Sequence, residues 1–153
     1  MGKIDLGEFA LYPLSMTNEE DKRFLKDIKD KEARKYHLKD IIRNDLKRKT
    51  AVGNSYLIKK DEVNVGYACV SDINRLGDRN ITLAIHKDFR NNHIGSRFIE
   101  TLSGYTLEMN LAKGITAYID KQNEASQKVF IHSGFIHVGN LPGPAKTEIY
   151  RKR

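Results

Sequence analysis

The chain has 153 residues, of which 39% are hydrophobic and 31% charged, and it carries a net charge of +7. This size and balance suit one globular domain, which we expect to span residues 1–153. No apolar run approaches the roughly 18 residues that a membrane-spanning helix needs, so membrane insertion is not expected. The chain also opens without an apolar signal-peptide core and holds one cysteine, Cys69, so we expect a cytoplasmic protein.

The excess of basic residues does not by itself indicate a nucleic-acid partner. Lysines and arginines are spread among acidic residues, and the densest clusters, at 47–49 and 151–153, are short. A nucleic-acid binder needs a basic stripe with interleaved aromatic side chains, which this sequence lacks, so nucleic acid is not an expected partner. The five histidines have too few cysteine or carboxylate companions at ligand spacing, so we expect no metal site.

The first half of the chain predicts a short strand, two helices and a β-hairpin. The strand is expected at 9–14, and the sequence from Thr17 to Glu20 is a capping box that begins the first helix. A second helix is predicted over 32–49, where apolar residues recur at helical spacing. Alternating apolar residues then predict hairpin strands at 55–59 and 62–71.

The second half of the chain alternates strands with helices. Strands are expected at 80–86 and 115–120, with a strongly amphipathic helix over 94–111 between them. This strand–helix–strand unit is a right-handed crossover, and a crossover of this kind places its two strands parallel. The remaining elements are a short helix and two strands, at 123–134, 135–138 and 147–151. This order predicts an α/β fold with a mixed sheet of about seven strands and about four helices on its faces.

A polar loop between the strand at 80–86 and the long helix has the composition of an anion site. A helix start exposes unpaired backbone N–H groups and the positive end of the helix dipole. Gly95 allows close approach of a phosphate, the Ser96 hydroxyl adds a donor, and Arg90 supplies a charge. Taken alone the pattern is common, and an ordinary surface loop is the alternative. Neither the Gly-Lys-Ser/Thr signature nor the three-glycine dinucleotide fingerprint is present.

Two segments at a defined separation resemble those of a known family. The loop reads Ile85-His86-Lys87-Asp88-Phe89-Arg90-Asn91-Asn92-His93-Ile94-Gly95. The second segment reads Asn123-Glu124-Ala125-Ser126-Gln127-Lys128-Val129-Phe130-Ile131-His132-Ser133-Gly134-Phe135. They are similar to the Gln/Arg-x-x-Gly-x-Gly/Ala pyrophosphate loop and the Asn-x-x-small-x-x-x-Tyr-x-x-x-Gly-Phe segment of the GNAT superfamily of N-acetyltransferases. The order of elements in the whole chain matches that family as well.

The resemblance implies a GNAT-like fold in which the two parallel strands splay apart and acetyl-CoA, the co-substrate, lies between them. The pantetheine arm would bond to strand backbone, the pyrophosphate would lie on the loop, and one face of the helix at 123–134 would line the thioester. The implied cofactor-binding residues are Ala84, Ile85, Arg90, Asn91, Asn92, His93, Ile94, Gly95, Ser96, Asn123, Ser126 and Phe130. A plain helix cap is the alternative for Asn123, and core packing is the alternative for Phe130.

Three positions depart from the family pattern. His93 stands where the loop has its first glycine. Phe130 stands where many members have a tyrosine that protonates the leaving thiolate, and losing a general acid costs about 10²–10⁴ in rate. Thr82 stands where many members have a glutamate that deprotonates the amine. The catalytic residues are therefore left unassigned. The open alternatives for a base acting through water are Asp72, Tyr118, Asp120 and Glu148.

The expected function is transfer of an acetyl group from acetyl-CoA to a primary amine by direct attack in a ternary complex. Without a base, an α-amine is favoured over a lysine because its pKa is lower. The second segment is also loosely similar to the branch that acetylates ribosomal-protein N-termini, although an aminoglycoside, a polyamine or another small metabolite stays open as acceptor. The alternative is a catalytically weak or inactive acyl-CoA-binding module of the same fold. An edge strand at the C-terminus offers a surface for a homodimer.

Overall fold

A computed structural model describes residues 3–31, 33, 42, 55–142 and 146–153. The strands are β1 (Ile4–Asp5), β2 (Phe9–Pro13), β3 (Ser55–Lys60), β4 (Val63–Val70), β5 (Asp78–Ile85), β6 (Gly114–Asp120), β7 (Ile136–Asn140) and β8 (Thr147–Lys152). The described helices are α1 (Glu19–Ile28), α2 (Ile94–Glu108) and α3 (Glu124–His132), with a 3-10 turn over Lys87–Phe89. The helix predicted over 32–49 lies almost entirely outside the described residues.

The strands form one mixed sheet in the order β1-β2-β3-β4-β5-β6-β8-β7. Only β5 and β6 are parallel, and every other neighbouring pair is antiparallel. The predicted α/β fold with a mixed sheet is therefore confirmed. The described residues form eight strands instead of the predicted seven, because the two-residue β1 pairs with β2. The C-terminal strand β8 lies between β6 and β7, so the edge strand near the C-terminus is β7 and not the last strand.

The two faces of the sheet carry different helices. On one face, Phe98 and Ile99 of α2 and Phe130 of α3 pack against strand residues such as Ile115, and all four are at most 4% exposed. On the other face, α1 packs Ile28 and its neighbours against β4. Cys69 lies in that second cluster and is buried, as predicted. Each fully buried aliphatic or aromatic side chain contributes roughly 1.5–3 kcal/mol, so both helix layers are anchored to the sheet.

Short polar side chains fix where the helices start. The cap of α1 is Asn18, whose Oδ1 accepts a hydrogen bond from the N–H of Asp21 at 3.1 Å. The predicted capping box beginning at Thr17 is therefore wrong by one residue, because the Thr17 hydroxyl bonds to Ser15 instead. Asn123 caps α3 as predicted, accepting from the N–H of Ser126 at 3.2 Å.

Candidate active site

The parallel strands β5 and β6 part soon after they begin. They pair at Asp78–Gly114, Arg79–Ile115 and Asn80–Thr116, and their register ends there. Beyond that point β5 stays paired with β4 as far as Ile85, and β6 stays paired with β8 as far as Asp120. The sheet therefore opens into a V-shaped gap between the carboxyl ends of two adjacent parallel strands, and the predicted splay is confirmed.

The pairing of β5 with β4 decides which backbone groups face the gap. In an antiparallel ladder, alternate residues exchange hydrogen bonds with the partner strand. The bonds from the His86 N–H to the Val65 carbonyl and from the Ser71 N–H to the Asn80 carbonyl fix this alternation. Ala84 therefore directs its backbone groups to β4. The intervening residues, Leu83 and Ile85, direct their N–H groups into the gap.

On the other side of the gap, the pairing of β6 with β8 decides which backbone groups of β6 face β5. The N–H of Lys121 donates to the carbonyl of Lys146 in the ladder with β8. Tyr118, three residues before Lys121, has the opposite parity and directs its backbone groups towards β5. The gap is thus bordered by peptide groups of both strands that face away from the ladders with β4 and β8, as an extended ligand running between the strands would require.

A buried ion pair holds the strands together where the gap closes. Asp78 of β5 is 1% exposed and accepts two hydrogen bonds of 2.6 Å from the guanidinium of Arg151 on β8. It also accepts one of 3.0 Å from the Thr116 hydroxyl on β6. Burial alone raises the pKa of Asp78, but the hydrogen bonds from Arg151 and Thr116 outweigh it and lower the pKa below its usual value.

The loop after β5 presents a row of free backbone donors. Asn91 and His93 have φ of +65° and +59°, and α2 begins at Ile94. The first bond of the helix runs from the N–H of Arg97 to the carbonyl of His93 at 3.0 Å. Within the described part of the chain, no group accepts a hydrogen bond from the N–H groups of residues 91–96. A helix start with six such donors has the electrostatics of an anion site.

The left-handed backbone of His93 explains the glycine that the family has at this position. A side chain at positive φ costs of order 1–3 kcal/mol, and glycine avoids that cost. The His93 side chain is exposed, so it is accommodated without a clash in the protein. Strain of this kind is often found where a loop serves a ligand.

The guanidinium of Arg90 is bound to other protein groups and does not lie beside the backbone N–H groups of the loop. Its Nη1 and Nη2 donate to the two carboxylate oxygens of Asp30 at 2.9 and 3.0 Å, and its Nε donates to the Ile85 carbonyl at 2.9 Å. Nothing in the local sequence around Arg90 indicates this partner, which lies 60 residues away. Asp30 is the residue of this region that sequence reasoning missed.

The gap and the loop are parts of one cleft of about 760 Å³. Such a volume suits a ligand of cofactor size. The predicted cofactor-binding residues that line it are Ala84, Ile85, Arg90, Asn91, His93, Ile94, Gly95, Ser96, Asn123, Ser126 and Phe130. Asn92 is exposed and does not line the cleft, although its N–H belongs to the row of free donors.

Phe130 belongs to both the cleft wall and the core. It is 4% exposed, and its ring packs edge-on against Phe135 with centroids 5.0 Å apart. Both interpretations of this residue from the sequence therefore describe its place. A phenylalanine here can make apolar contacts with a ligand, but it has no proton to donate.

The possible bases are not equally placed. Tyr118 and Asp120 line the cleft, and Tyr118 is half exposed. Thr82 also lines it, at the position where many family members have a glutamate, but its hydroxyl is not a base. Glu148 is hydrogen-bonded to His137, with one carboxylate oxygen 2.6 Å from Nε2 of the histidine. That hydrogen bond raises the pKa of His137. Asp72 is not among the cleft-lining residues.

The described residues lack two further features. No group of three or more histidine, cysteine or acidic side chains there is arranged to hold a metal ion. None of the described helices has the length and apolar character to cross a membrane.

These features define the class of the protein: an α/β fold whose split sheet and helix start border one cleft. The acetyltransferase (GNAT) domain family matches residues 4–136. Because this match covers most of the chain, the chain belongs to the GNAT acetyltransferase family. No protein of curated function matches it in sequence.

Solved structures share the fold at low sequence identity. A GNAT-family acetyltransferase from Bacillus anthracis has a TM-score of 0.78 and 14% identity, covering 98% of this chain and 97% of its own. Spermidine N-acetyltransferase from Vibrio cholerae, with CoA and spermine, has a TM-score of 0.71 and 12% identity, covering 95% of each chain. RimJ from Mycobacterium smegmatis, with CoA-disulfide, has a TM-score of 0.71 and 16% identity, covering 99% of this chain and 85% of its own.

Proposed function

We propose that the protein transfers an acetyl group from acetyl-CoA to a primary amine by direct attack in a ternary complex. The observation that carries this proposal is the open gap between β5 and β6, which leads to the six free N–H donors of residues 91–96. Membership of the GNAT acetyltransferase family supports the reaction class. The presence of CoA in the Vibrio cholerae and Mycobacterium smegmatis structures supports the choice of co-substrate.

The residues of the cleft fit the parts of acetyl-CoA. The N–H groups of Leu83 and Ile85 suit an extended amide-bearing arm, because they are spaced like the donors of a strand edge. The loop donors suit a pyrophosphate. Ser126 and Phe130 of α3 form a wall of the cleft. Bound there, acetyl-CoA would supply a thioester, whose thiolate is a tolerable leaving group because thiol pKa values are near 8.5.

The protein's own contribution to the chemistry is mainly positioning. Holding two reactants in line supplies several kcal/mol without an acid or a base. A strand N–H at the gap, such as that of Ile85, can polarise a carbonyl as an oxyanion donor. Among the four bases considered from the sequence, we keep Tyr118 and Asp120 because both line the cleft. Either side chain could accept the amine proton through a bridging water and pass it to solvent.

A weakly basic acceptor fits a site without a dedicated base. An α-amine has a pKa of about 8 and a lysine about 10.4, so at neutral pH the α-amine begins roughly 3 kcal/mol nearer its reactive neutral form. We therefore propose an α-amine, of a protein N-terminus or a small molecule, as the acceptor. We propose a cytoplasmic location, because a sequence with a single cysteine does not depend on an intramolecular disulfide.

The alternative function is an acyl-CoA-binding module with little or no turnover. Phe130 and Thr82 favour it, since neither side chain transfers a proton in the roles that many family members fill at these positions. Release of free thiol from acetyl-CoA should be followed across a panel containing an α-amine peptide, its N-blocked lysine counterpart, a polyamine and an aminoglycoside. The proposal predicts turnover that is fastest with the α-amine peptide. Tight acetyl-CoA binding with no turnover on any amine would replace the enzyme by the binding module.

Replacing Phe130 with Tyr is expected to keep kcat or to raise it by up to about 10²-fold, because the new hydroxyl adds a proton donor at the cleft wall. The matched control is Phe135→Tyr, which adds the same hydroxyl to the other ring of the pair, outside the cleft lining. The control should leave kcat unchanged or lower it. Steady-state kinetics with saturating acetyl-CoA measures both. A large fall for Phe130→Tyr alone would show that the ring must pack without a hydroxyl.

A further inference from the structure

An ion pair joins the end of α1 to the entrance of the phosphate-binding loop. The two terminal nitrogens of Arg90 meet the two oxygens of Asp30 in a fork-to-fork arrangement, at 2.9 and 3.0 Å. Both side chains are mostly buried, with 28% and 18% of their surfaces exposed. Paired hydrogen bonds between charged groups are the strongest of their kind, and partial burial reduces their screening.

The pair also contacts two other parts of the cleft. Asp30 Oδ1 accepts a hydrogen bond of 3.1 Å from the N–H of Ala33, which itself lines the cleft. Arg90 Nε donates to the carbonyl of Ile85, the residue whose N–H faces the gap. One carboxylate and one guanidinium thus connect three pieces of the wall: the segment after α1, the end of β5 and the start of the loop.

We infer that Asp30 and Arg90 form a clasp that positions the acetyl-CoA site without contacting the phosphates. The clasp fixes the Ile85 peptide group and the first residues of the loop before ligand arrives, so binding does not have to order them. It also links the wall segment at Ala33 to the loop. This inference rests on the proposed function, since it assigns positioning residues to that same cleft.

The sequence suggested a different role, in which Arg90 is itself a phosphate ligand. The two roles predict opposite effects of Asp30→Asn. In the clasp, losing the carboxylate charge loosens the loop and weakens binding. If Arg90 is a phosphate ligand, Asp30→Asn frees its guanidinium and leaves binding unchanged or tighter.

The test is calorimetric titration of acetyl-CoA into the wild type, Asp30→Asn, Arg90→Gln and the double variant. We expect each single change to raise Kd about tenfold, from the loss of charge-assisted hydrogen bonds. The double variant should be no weaker than either single one, because both changes break the same unit. Asp27→Asn, an exposed change on α1 one turn earlier, is the matched control and should bind like the wild type.

Arg90→Lys separates the two roles further. A lysine keeps the charge and binds phosphate well, but it cannot reproduce the paired geometry with a carboxylate or the third bond to Ile85. The clasp predicts that Arg90→Lys binds as weakly as Arg90→Gln. Wild-type affinity in Arg90→Lys, or in Asp30→Asn, would overturn it.

A second measurement keeps this inference separate from the proposed function. Amide hydrogen exchange in the absence of ligand should be faster in residues 85–96 of Asp30→Asn than in Asp27→Asn, because the clasp itself is lost. If the wild type failed to bind acetyl-CoA, the proposed function would be contradicted. Faster amide exchange in Asp30→Asn would still support the clasp. Unchanged exchange in Asp30→Asn would overturn the clasp whatever the protein binds.

Discussion

Replacing Gly95 with Trp is expected to abolish acetyl-CoA binding while the protein stays folded. A Cβ at this position would lie 3.6 Å from two methyl carbons of Val129 and 3.7 Å from Cγ1 of Ile85, which is ordinary contact distance. Gly95, Val129 and Ile85 all line the cleft, so we expect an indole ring at position 95 to occupy cleft volume proposed for the pyrophosphate. Calorimetry should show no binding, and circular dichroism should show a cooperative thermal transition near that of the wild type.

Gly95→Ala is the matched control for this change. Its single methyl group makes only the ordinary contacts just given, and alanine is a better helix former than glycine. This variant should therefore bind acetyl-CoA and be at least as stable as the wild type. If Gly95→Trp bound with unchanged affinity, the phosphate site would have been assigned to the wrong loop.

Replacing Asp78 with Ala should destabilise the protein by about 3–5 kcal/mol, the usual cost of leaving one partner of a buried ion pair alone. Arg151 would keep its charge with only 18% of its side chain exposed, and Thr116 would lose its acceptor. Urea unfolding at pH 7 measures the change. Asp61→Asn provides the comparison at the surface, because Asp61 pairs with Lys60 while 85% exposed, and such pairs contribute at most about 1 kcal/mol. Asparagine also tolerates the left-handed backbone of this residue, whose φ is +51°.

The stabilising effect of Asp78 should depend on pH in a defined direction. Its pKa in the folded protein is below the ordinary value of 3.8, so its carboxylate stabilises the fold fully above that value. The contribution falls as the pH drops below 3.8 and through the folded-state pKa. The difference in unfolding free energy between the wild type and Asp78→Ala should therefore shrink in acid. If Asp78→Ala lost as little stability at pH 7 as Asp61→Asn, the ion pair would not hold the closed end of the gap.

Much of the fold could be predicted because its signals are local. The apolar periods of β5, α2 and β6 fixed the crossover, and Asn123 fixed the start of α3. The two-residue β1 has too few positions to show a period. The cap of α1 shifted by one residue because Asn18 and Thr17 are both good caps, and only packing decides between them.

The lining of the cleft could be predicted from the sequence, but the hydrogen bonds within it could not. The loop and the second segment indicated which residues surround the cleft, and all but Asn92 of the predicted set line it. Register decides which backbone groups face the gap, and pairing between distant strands does not show in a single segment. The same holds for the partner of Arg90, since no local pattern links it to Asp30.

The proposed acetyl-CoA site consists mainly of backbone N–H groups of the loop and of the β5 edge, and amide NMR observes these groups directly. A titration of nitrogen-labelled protein with acetyl-CoA should shift the amide signals of residues 91–96, Leu83 and Ile85 more than any others. Pantetheine, which lacks the phosphates, should shift Leu83 and Ile85 but not the loop. Loop and strand-edge signals that stay still while other residues respond, or no response at millimolar acetyl-CoA, would contradict the proposed site.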